Sequence, residues 1–121
     1  MKLRLLAHFF ILALPALASA QERAFLGKWD ITATASEGRR VYWLEVKNDG
    51  GQLSGWFLNR GGSVFKLPNI AIQNGELRFT LPNTKQVYTA RVEGKMLVGK
   101  ITTDKETVGF VGMRPPKWGR Y

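Results

Sequence analysis

The side chains that most often do enzyme chemistry are almost absent from this sequence. Its 121 residues include no cysteine and a single histidine, His8. A thiol nucleophile and a thiolate metal site are therefore excluded. Since His8 lies in a segment that we expect to be removed from the mature protein, imidazole bases, Ser-His-Asp triads and histidine-bound zinc are excluded as well. We predict a non-enzymatic chain with no metal and no cofactor.

Carboxylates are the remaining candidates for acid–base catalysis. Asp30, Glu45 and Glu106 fall in predicted strands, and glycoside hydrolysis requires two carboxyl groups about 5–10 Å apart. The sequence pattern does not bring any two of these three together. The other acidic residues of the mature chain lie near its start or beside predicted turns, where solvated charge is the ordinary role. Catalysis by a carboxylate pair therefore stays a minor alternative.

Two pairs of consecutive aromatic residues point instead to binding. Tyr42 precedes Trp43, and Trp56 precedes Phe57. Because neighbouring residues of a strand face opposite sides of a sheet, one member of each pair must lie on the outside or at the rim of the domain. An aromatic plate beside hydrogen-bonding groups suits a sugar ring or a flat ligand, and the alternative is a tryptophan packed under a loop or against a partner domain. The predicted ligand site comprises Trp43, Glu45, Trp56, Asn59 and Arg60.

The chain is strongly basic, with 18 Lys and Arg against 9 Asp and Glu and a formal net charge of +9. Its basic residues are spread over every predicted hairpin. Such a surface favours weak, salt-sensitive attraction to acidic polysaccharide, lipid head groups or peptidoglycan, although a basic surface that only maintains solubility is common. Basic residues interleaved with aromatics also occur in proteins that bind single-stranded nucleic acid, but the export predicted below argues against that partner.

Turn-forming residues recur at nearly even intervals and define the predicted elements. They begin at residues 37, 48, 60, 74, 82, 93 and 104. Asn-Gly and Asp-Gly pairs favour the positive φ angles of tight hairpins, and intervals of 8–14 residues are close to those typical of short strands in sandwiches and barrels. Seven turns separate eight strands. We predict an all-β fold, an antiparallel eight-stranded up-and-down barrel, with a β-sandwich as the structural alternative.

The predicted strands have the alternation of a sheet with one buried face. Leu77, Phe79 and Leu81, for example, alternate with polar residues, which favours a half-buried strand. Arg78 and Arg91 fall within strands, and this argues against an outer-membrane barrel because the lipid-facing positions of such a barrel are apolar.

A weak repeat places a glycine at a turn, then leucine, and in two copies a second glycine, Gly55 or Gly99. Glycine inside a strand marks a barrel corner or a close backbone approach. We therefore interpret the repeat as geometry and not as a ligand-binding motif.

The first twenty residues have the order of a secretory signal peptide. Lys2 and Arg4 precede an apolar stretch, Pro15 follows it, and Ala18-Ser19-Ala20 is a small-residue cleavage site. The apolar stretch is shorter than the roughly 20 residues of a membrane-spanning helix. Cleavage after Ala20 predicts a secreted or periplasmic bacterial protein with a mature chain of 101 residues and a charge of +7. The predicted parts are a signal peptide at 1–20, a β-barrel domain at 21–114 and a Pro-rich tail at 115–121.

The opening of the mature chain resembles the calycin barrels, such as lipocalins and avidins. Gly27-Lys28-Trp29 has the Gly-x-Trp pattern of their first strand, and Arg114 follows the last predicted strand. The resemblance implies that the Arg114 side chain covers Trp29, and that Gly27, Trp29 and Arg114 have structural roles. It does not imply biotin binding, since the polar ligand residues expected after the first strand of an avidin are missing.

More of the chain resembles a small exported bacterial β-domain that often precedes a 3-keto-disaccharide hydrolase domain. The hydrolase domain itself has no counterpart among these 121 residues, so the resemblance implies an accessory barrel associated with carbohydrate metabolism and no glycosidase activity. The resemblance is carried by Gly27-Lys28-Trp29-Asp30, Trp43-Leu44-Glu45-Val46, Leu53-Ser54-Gly55-Trp56-Phe57, Gly75-Glu76-Leu77-Arg78-Phe79 and Pro116-Lys117-Trp118-Gly119.

The sequence therefore predicts a non-enzymatic, exported β-barrel accessory module that binds a small ligand or a glycan. The alternative is an interaction domain that binds an exported protein or an acidic envelope polymer through a basic, aromatic outer face. An interior cavity of several hundred Å³ would favour a ligand carrier. A filled barrel with Trp43 and Trp56 on its outside would favour a binding surface.

Overall fold

The computed structural model describes residues 20–35, 38–58 and 62–116. The predicted signal peptide up to residue 19, the end of the Pro-rich tail at 117–121, and Asn59 and Arg60 lie outside the described residues. Within these residues, one short helix precedes nine strands. The helix α1 is Ala20–Phe25, and the strands are β1 Gly27–Ala35, β2 Gly38–Asp49, β3 Gln52–Leu58, β4 Phe65–Lys66, β5 Ile70–Gln73, β6 Glu76–Thr80, β7 Val87–Glu93, β8 Met96–Thr102 and β9 Thr107–Met113.

The nine strands form a single curled antiparallel sheet, so the all-β prediction is confirmed. The strand order is β4-β3-β2-β1-β9-β8-β7-β6-β5. The two ends of this sheet are consecutive in the chain, because only residues 67–69 separate β4 from β5. Near that junction, the Leu67 amide donates a hydrogen bond of 2.8 Å to the Gly55 carbonyl in β3. The sheet thus wraps around one core as a half-barrel.

The predicted number of eight strands is wrong, and Pro68 provides the physical reason. The sequence pattern placed one strand between the turns at Gly62 and Asn74, but the structure divides it into β4 and β5. Proline has no amide hydrogen to donate to a ladder. The segment before Pro68 pairs with β3, and the segment after it pairs with β6.

Aromatic side chains fill the concave side of the sheet. The rings of Phe79 and Tyr88 are stacked with their centroids 4.7 Å apart, and the Phe57 ring lies 5.5 Å from that of Tyr88. Smaller apolar residues and Trp29 complete the buried core. The rings of Tyr42, Phe65 and Phe110 surround this central group. Tyr42 and Phe57 therefore face inward, and their neighbours Trp43 and Trp56 face outward, as the alternation predicts.

The second glycines of the weak repeat, Gly55 and Gly99, lie close to neighbouring strands or loops. A Cβ at Gly55 would come within 2.8 Å of the Ile70 side chain in β5 and 2.9 Å of the Leu67 side chain in the β4–β5 junction. A Cβ at Gly99 would collide with the Thr89 carbonyl and with the side chains of its strand neighbours. The close backbone approach is thus found at Gly99, whereas the close neighbours of Gly55 are the ends of two side chains.

Candidate functional site

The recess beside Tyr42, on the concave side of the half-barrel, leaves little space for a ligand. This recess of about 40 Å³ opens at one end of the sheet, beside inward-facing Ala33, Tyr42, Ile101 and Val108. Ligand pockets are typically about 300 Å³ or larger, whereas a recess of this size holds one or a few water molecules. An interior ligand of the kind carried by hollow barrels does not fit this recess.

Tyr88 is the buried polar side chain that the core accommodates least well. The residue is 1 % exposed, and within the described part of the chain its hydroxyl has no hydrogen-bond partner. Burial raises the pKa of the Tyr88 hydroxyl above its ordinary value of 10, and the neighbouring Tyr42 raises it further, whereas Arg40 lowers it. The core therefore holds this hydroxyl in its neutral form.

Removing the Tyr88 hydroxyl should make the free energy of unfolding less sensitive to alkaline pH. Above pH 10 the unfolded state releases the Tyr88 proton before the folded state does, so the wild-type free energy of unfolding falls as pH rises. Tyr88→Phe should lack this fall and should equal or exceed the wild type by up to about 1 kcal/mol at pH 7, because it also removes an unpaired buried hydroxyl. Urea unfolding of both proteins at pH 7 and at about pH 11 measures the difference. An equal fall in the free energy of unfolding of both proteins between pH 7 and about pH 11 would contradict a raised pKa for the Tyr88 hydroxyl.

The convex side of β1, β2 and β3 places the predicted aromatic residues in two adjacent rows across the strands. In one row Trp43 is paired with Asp30 of β1 and with Leu58 of β3. In the next row Glu45 is paired with Lys28 of β1 and with Trp56 of β3. Trp56 is in turn paired with Lys66 of β4. Both tryptophans are half-buried. Two aromatic rings and two pairs of opposite charges thus share one surface.

A groove of about 260 Å³ crosses this surface, and we call it the Trp43 groove. Its walls are apolar apart from one ammonium group and one carboxylate. The Lys28 Nζ atom lies 5.8 Å from the centroid of the Trp43 ring, a distance at which a cation is attracted to an aromatic face. The lining residues are Lys28, Asp30, Trp43, Leu58, Val64 and Pro115.

The structure brings together part of the predicted ligand site. Trp43 lines the groove, Glu45 and Trp56 lie on the same surface in the next row, and Asn59 and Arg60 are not among the described residues. Five lining residues were not predicted: Lys28, Asp30, Leu58, Val64 and Pro115. These residues come together because β1 pairs with β2 and β9 pairs with β1. Residue types alone do not specify this pairing. The alternation of Lys28 and Asp30 around Trp29 was the available signal, since it places both on the convex side.

Exposed apolar side chains extend the surface beyond the groove. Val41 and Met113 are 54 % and 53 % exposed. Met113 is paired with Asp30, and Val41 and Val111 are both paired with Thr32. An apolar patch of this kind, bordered by polar residues, marks interaction sites on soluble proteins.

Arg114 closes the base of the domain over Trp29. The centre of its guanidinium lies 3.6 Å from the centroid of the Trp29 ring, and its two terminal nitrogens donate hydrogen bonds to the carbonyls of Lys28 and Ala24 at 3.0 and 3.1 Å. The Trp29 indole donates to the Phe25 carbonyl at 2.9 Å. Gly27 has φ +104°, and a Cβ there would lie 3.0 Å from the guanidinium. This cluster joins α1, β1 and the end of β9.

Across residues 20–35, 38–58 and 62–116, no group of three or more acidic, histidine or cysteine side chains is arranged to hold a metal ion. In the same part of the chain, no helix is both long and apolar enough to cross a bilayer. The chain matches no family model, no curated protein and no solved structure.

Proposed function

We propose that this chain is a non-enzymatic, exported domain that binds a glycan on its convex surface, in the Trp43 groove. The observation that carries the proposal is the contrast between the two sides of the sheet. Aromatic side chains occupy the centre of the concave side, where the recess beside Tyr42 holds about 40 Å³, whereas the convex groove holds about 260 Å³. A ligand is therefore expected outside the half-barrel and not within it.

The composition of the groove suits a sugar ring. A pyranose has an apolar C–H face and a rim of hydroxyl groups, so it needs an apolar plate with hydrogen-bonding groups beside it. Trp43, Leu58 and Pro115 supply apolar surface. The Lys28 ammonium donates hydrogen bonds and the Asp30 carboxylate accepts them, which matches the two roles of a hydroxyl group.

Export and membership of a carbohydrate-associated group of domains are parts of the same proposal. The signal-like order of residues 1–20 supports export. The calycin resemblance is supported by the contact between Arg114 and Trp29 and by the short junction 67–69, which links the two end strands of the sheet, β4 and β5. A calycin-like barrel in which β4 and β5 together take the place of one strand is thus the fold that we propose.

Trp43→Ala should weaken glycan binding at least tenfold, because buried aromatic contacts supply most of the binding energy of such sites. The experiment uses the mature protein, residues 21–121, and a panel of neutral hexasaccharides built from glucose, xylose or N-acetylglucosamine. Titration calorimetry with each sugar gives the dissociation constants. Trp43→Phe should retain part of the affinity because a smaller aromatic face remains.

Trp56→Ala is the matched control for this experiment. It removes the same residue type from the same surface, but Trp56 does not line the groove, so its affinity should stay within about threefold of the wild type. Equal losses in the two variants would move the site away from the groove. Absence of binding to every sugar in the panel would overturn the proposal.

A second candidate function is docking of an exported protein. The exposure of Val41, Val111 and Met113 next to the groove favours it, since a glycan would leave these side chains uncovered. A partner protein would cover them together with Trp43. This function becomes the better account if the sugars fail to bind and the apolar patch is protected in a purified complex.

A further inference from the structure

We propose a second binding surface, for an acidic polysaccharide, on the convex side of β6, β7, β8 and β9. It is centred on a transverse row in which Arg78, Thr89, Lys100 and Gly109 are successive partners across four strands. We call it the basic row. It lies on different strands from the Trp43 groove, goes beyond the proposed function, and stands whether or not that groove binds sugar.

The cations of the basic row are available to a ligand. Arg78 and Lys100 are exposed, and neither has an ion pair or a hydrogen bond with the rest of the described chain. Thr89, which lies between Arg78 and Lys100 in the row, has a small side chain. Gly109, the partner of Lys100 on the next strand, has none. Two unpaired cations therefore flank a hydroxyl group in a shallow trough.

A groove at one end of the basic row adds a third cation. It has a volume of about 220 Å³ and is lined by Ala71, Gln73, Asn74, Glu76, Arg78 and Arg91. The Arg91 side chain donates a hydrogen bond of 3.5 Å to the carbonyl of Asn74, another residue that lines the groove. Two guanidinium groups suit carboxylate or sulfate groups. Gln73 and Glu76 supply acceptors for the hydroxyl groups of a sugar.

The spacing of the cations favours a linear polymer over a single anion. Arg78 and Lys100 are two strands apart, and strands are separated by about 4.8 Å, so their backbones lie about 10 Å apart. This is close to the length of a disaccharide unit, so charged groups on alternate sugars can each meet one cation. Because the basic row runs across the strands of a convex sheet, a thin polysaccharide chain that lies along the row can contact each of its residues.

A lipid surface fits the basic row less well than a polysaccharide. The convex curvature allows a flat bilayer to touch few residues of the row at once. The row also has no large apolar side chain to enter the bilayer, which the peripheral attachment of proteins to membranes generally uses. The acidic polysaccharide is therefore the occupant that the geometry supports.

Removal of the two unpaired cations tests this surface. The mature protein is titrated with hexagalacturonate at about 50 mM salt, where surface charges are only partly screened. Arg78→Gln combined with Lys100→Gln should raise the dissociation constant at least about tenfold, because it removes two charged contacts. Binding by the wild type should weaken as salt increases. The neutral sugar maltohexaose should not bind this surface.

Lys95→Gln combined with Lys105→Gln is the matched control. It removes the same charge from two exposed turn residues outside the basic row, and affinity should stay within about twofold of the wild type. Equal losses in both double variants would show diffuse attraction and overturn the proposal, as would no binding of hexagalacturonate. Phosphatidylglycerol vesicles form a separate arm, in which binding that exceeds hexagalacturonate binding and depends on Arg78 and Lys100 would assign the surface to lipid instead. Trp43→Ala should leave hexagalacturonate affinity unchanged, which keeps this test separate from that of the Trp43 groove.

Discussion

Gly99→Ala should destabilise the protein by about 3 kcal/mol or more, the largest effect that we expect from a single methyl group in this chain. Gly99 lies in β8 between Ala90 of β7 and Phe110 of β9. A Cβ there would collide with the Thr89 carbonyl and lie 2.8 Å from both the Ala90 Cβ and the Phe110 ring. Because the carbonyl belongs to the backbone, no change of rotamer relieves the collision.

Gly109→Ala is the matched control for the Gly99 prediction. Gly109 lies on the adjacent strand β9, and the one atom that a Cβ there would approach is the Gly99 carbonyl oxygen at 3.8 Å, an ordinary contact. This variant should be neutral or slightly more stable than the wild type, by up to about 1 kcal/mol, since alanine restricts the unfolded chain. Thermal and urea unfolding of the three proteins gives the comparison.

A failure of Gly99→Ala to fold would agree with the prediction only if Gly109→Ala folds normally. Phe110→Leu provides a further test, because it removes the ring but leaves the Thr89 carbonyl in place. It should not restore the stability of Gly99→Ala. A Gly99→Ala protein as stable as Gly109→Ala would contradict the packing described for these strands.

The hairpin periodicity was sufficient to predict most of the sheet. Asn74 and Gly75, for example, both adopt positive φ angles of 54° and 75°, as the Asn-Gly turn signal requires. Proline is confined to strand ends and bulges, but the effect of Pro68 on the strand count depends on how the segments on either side of it pair with β3 and β6. That information lies in the pairing between distant segments and not in the local pattern.

The candidate site was predicted less completely than the sheet, for a related reason. Alternation predicted that one aromatic residue of each pair faces outward, because this requires knowledge of one strand at a time, and in the structure the outward residues are Trp43 and Trp56. The basic residues were expected to be scattered, yet register brings Arg78 and Lys100 to either side of Thr89. Residues 22 positions apart in sequence become neighbours only once three strands are aligned.

Arg114→Met should lower the free energy of unfolding by about 2 kcal/mol, although Arg114 is exposed. The substitution keeps an unbranched side chain over Trp29 but removes two charged hydrogen bonds, to the carbonyls of Lys28 and Ala24. Such bonds contribute about 1.5 kcal/mol or more each when buried, and less in contact with water. The cation–π contact at 3.6 Å contributes about 1 kcal/mol. Arg114→Lys should fall between the two proteins, because one ammonium group does not reproduce the planar fork of the guanidinium.

Arg39→Met separates this local effect from the loss of one positive charge. Arg39 is exposed in β2, and its replacement should change stability by less than about 0.5 kcal/mol. Urea unfolding followed by tryptophan fluorescence reports both stability and the environment of Trp29. If Arg114 fastens α1 to β1 and the end of β9, Arg114→Met should also shift the native emission toward that of a more exposed indole, which Arg39→Met should not do. Equal stability of the two variants, with unchanged emission, would mean that the core around Phe25 and Trp29 holds the base of the domain without the guanidinium.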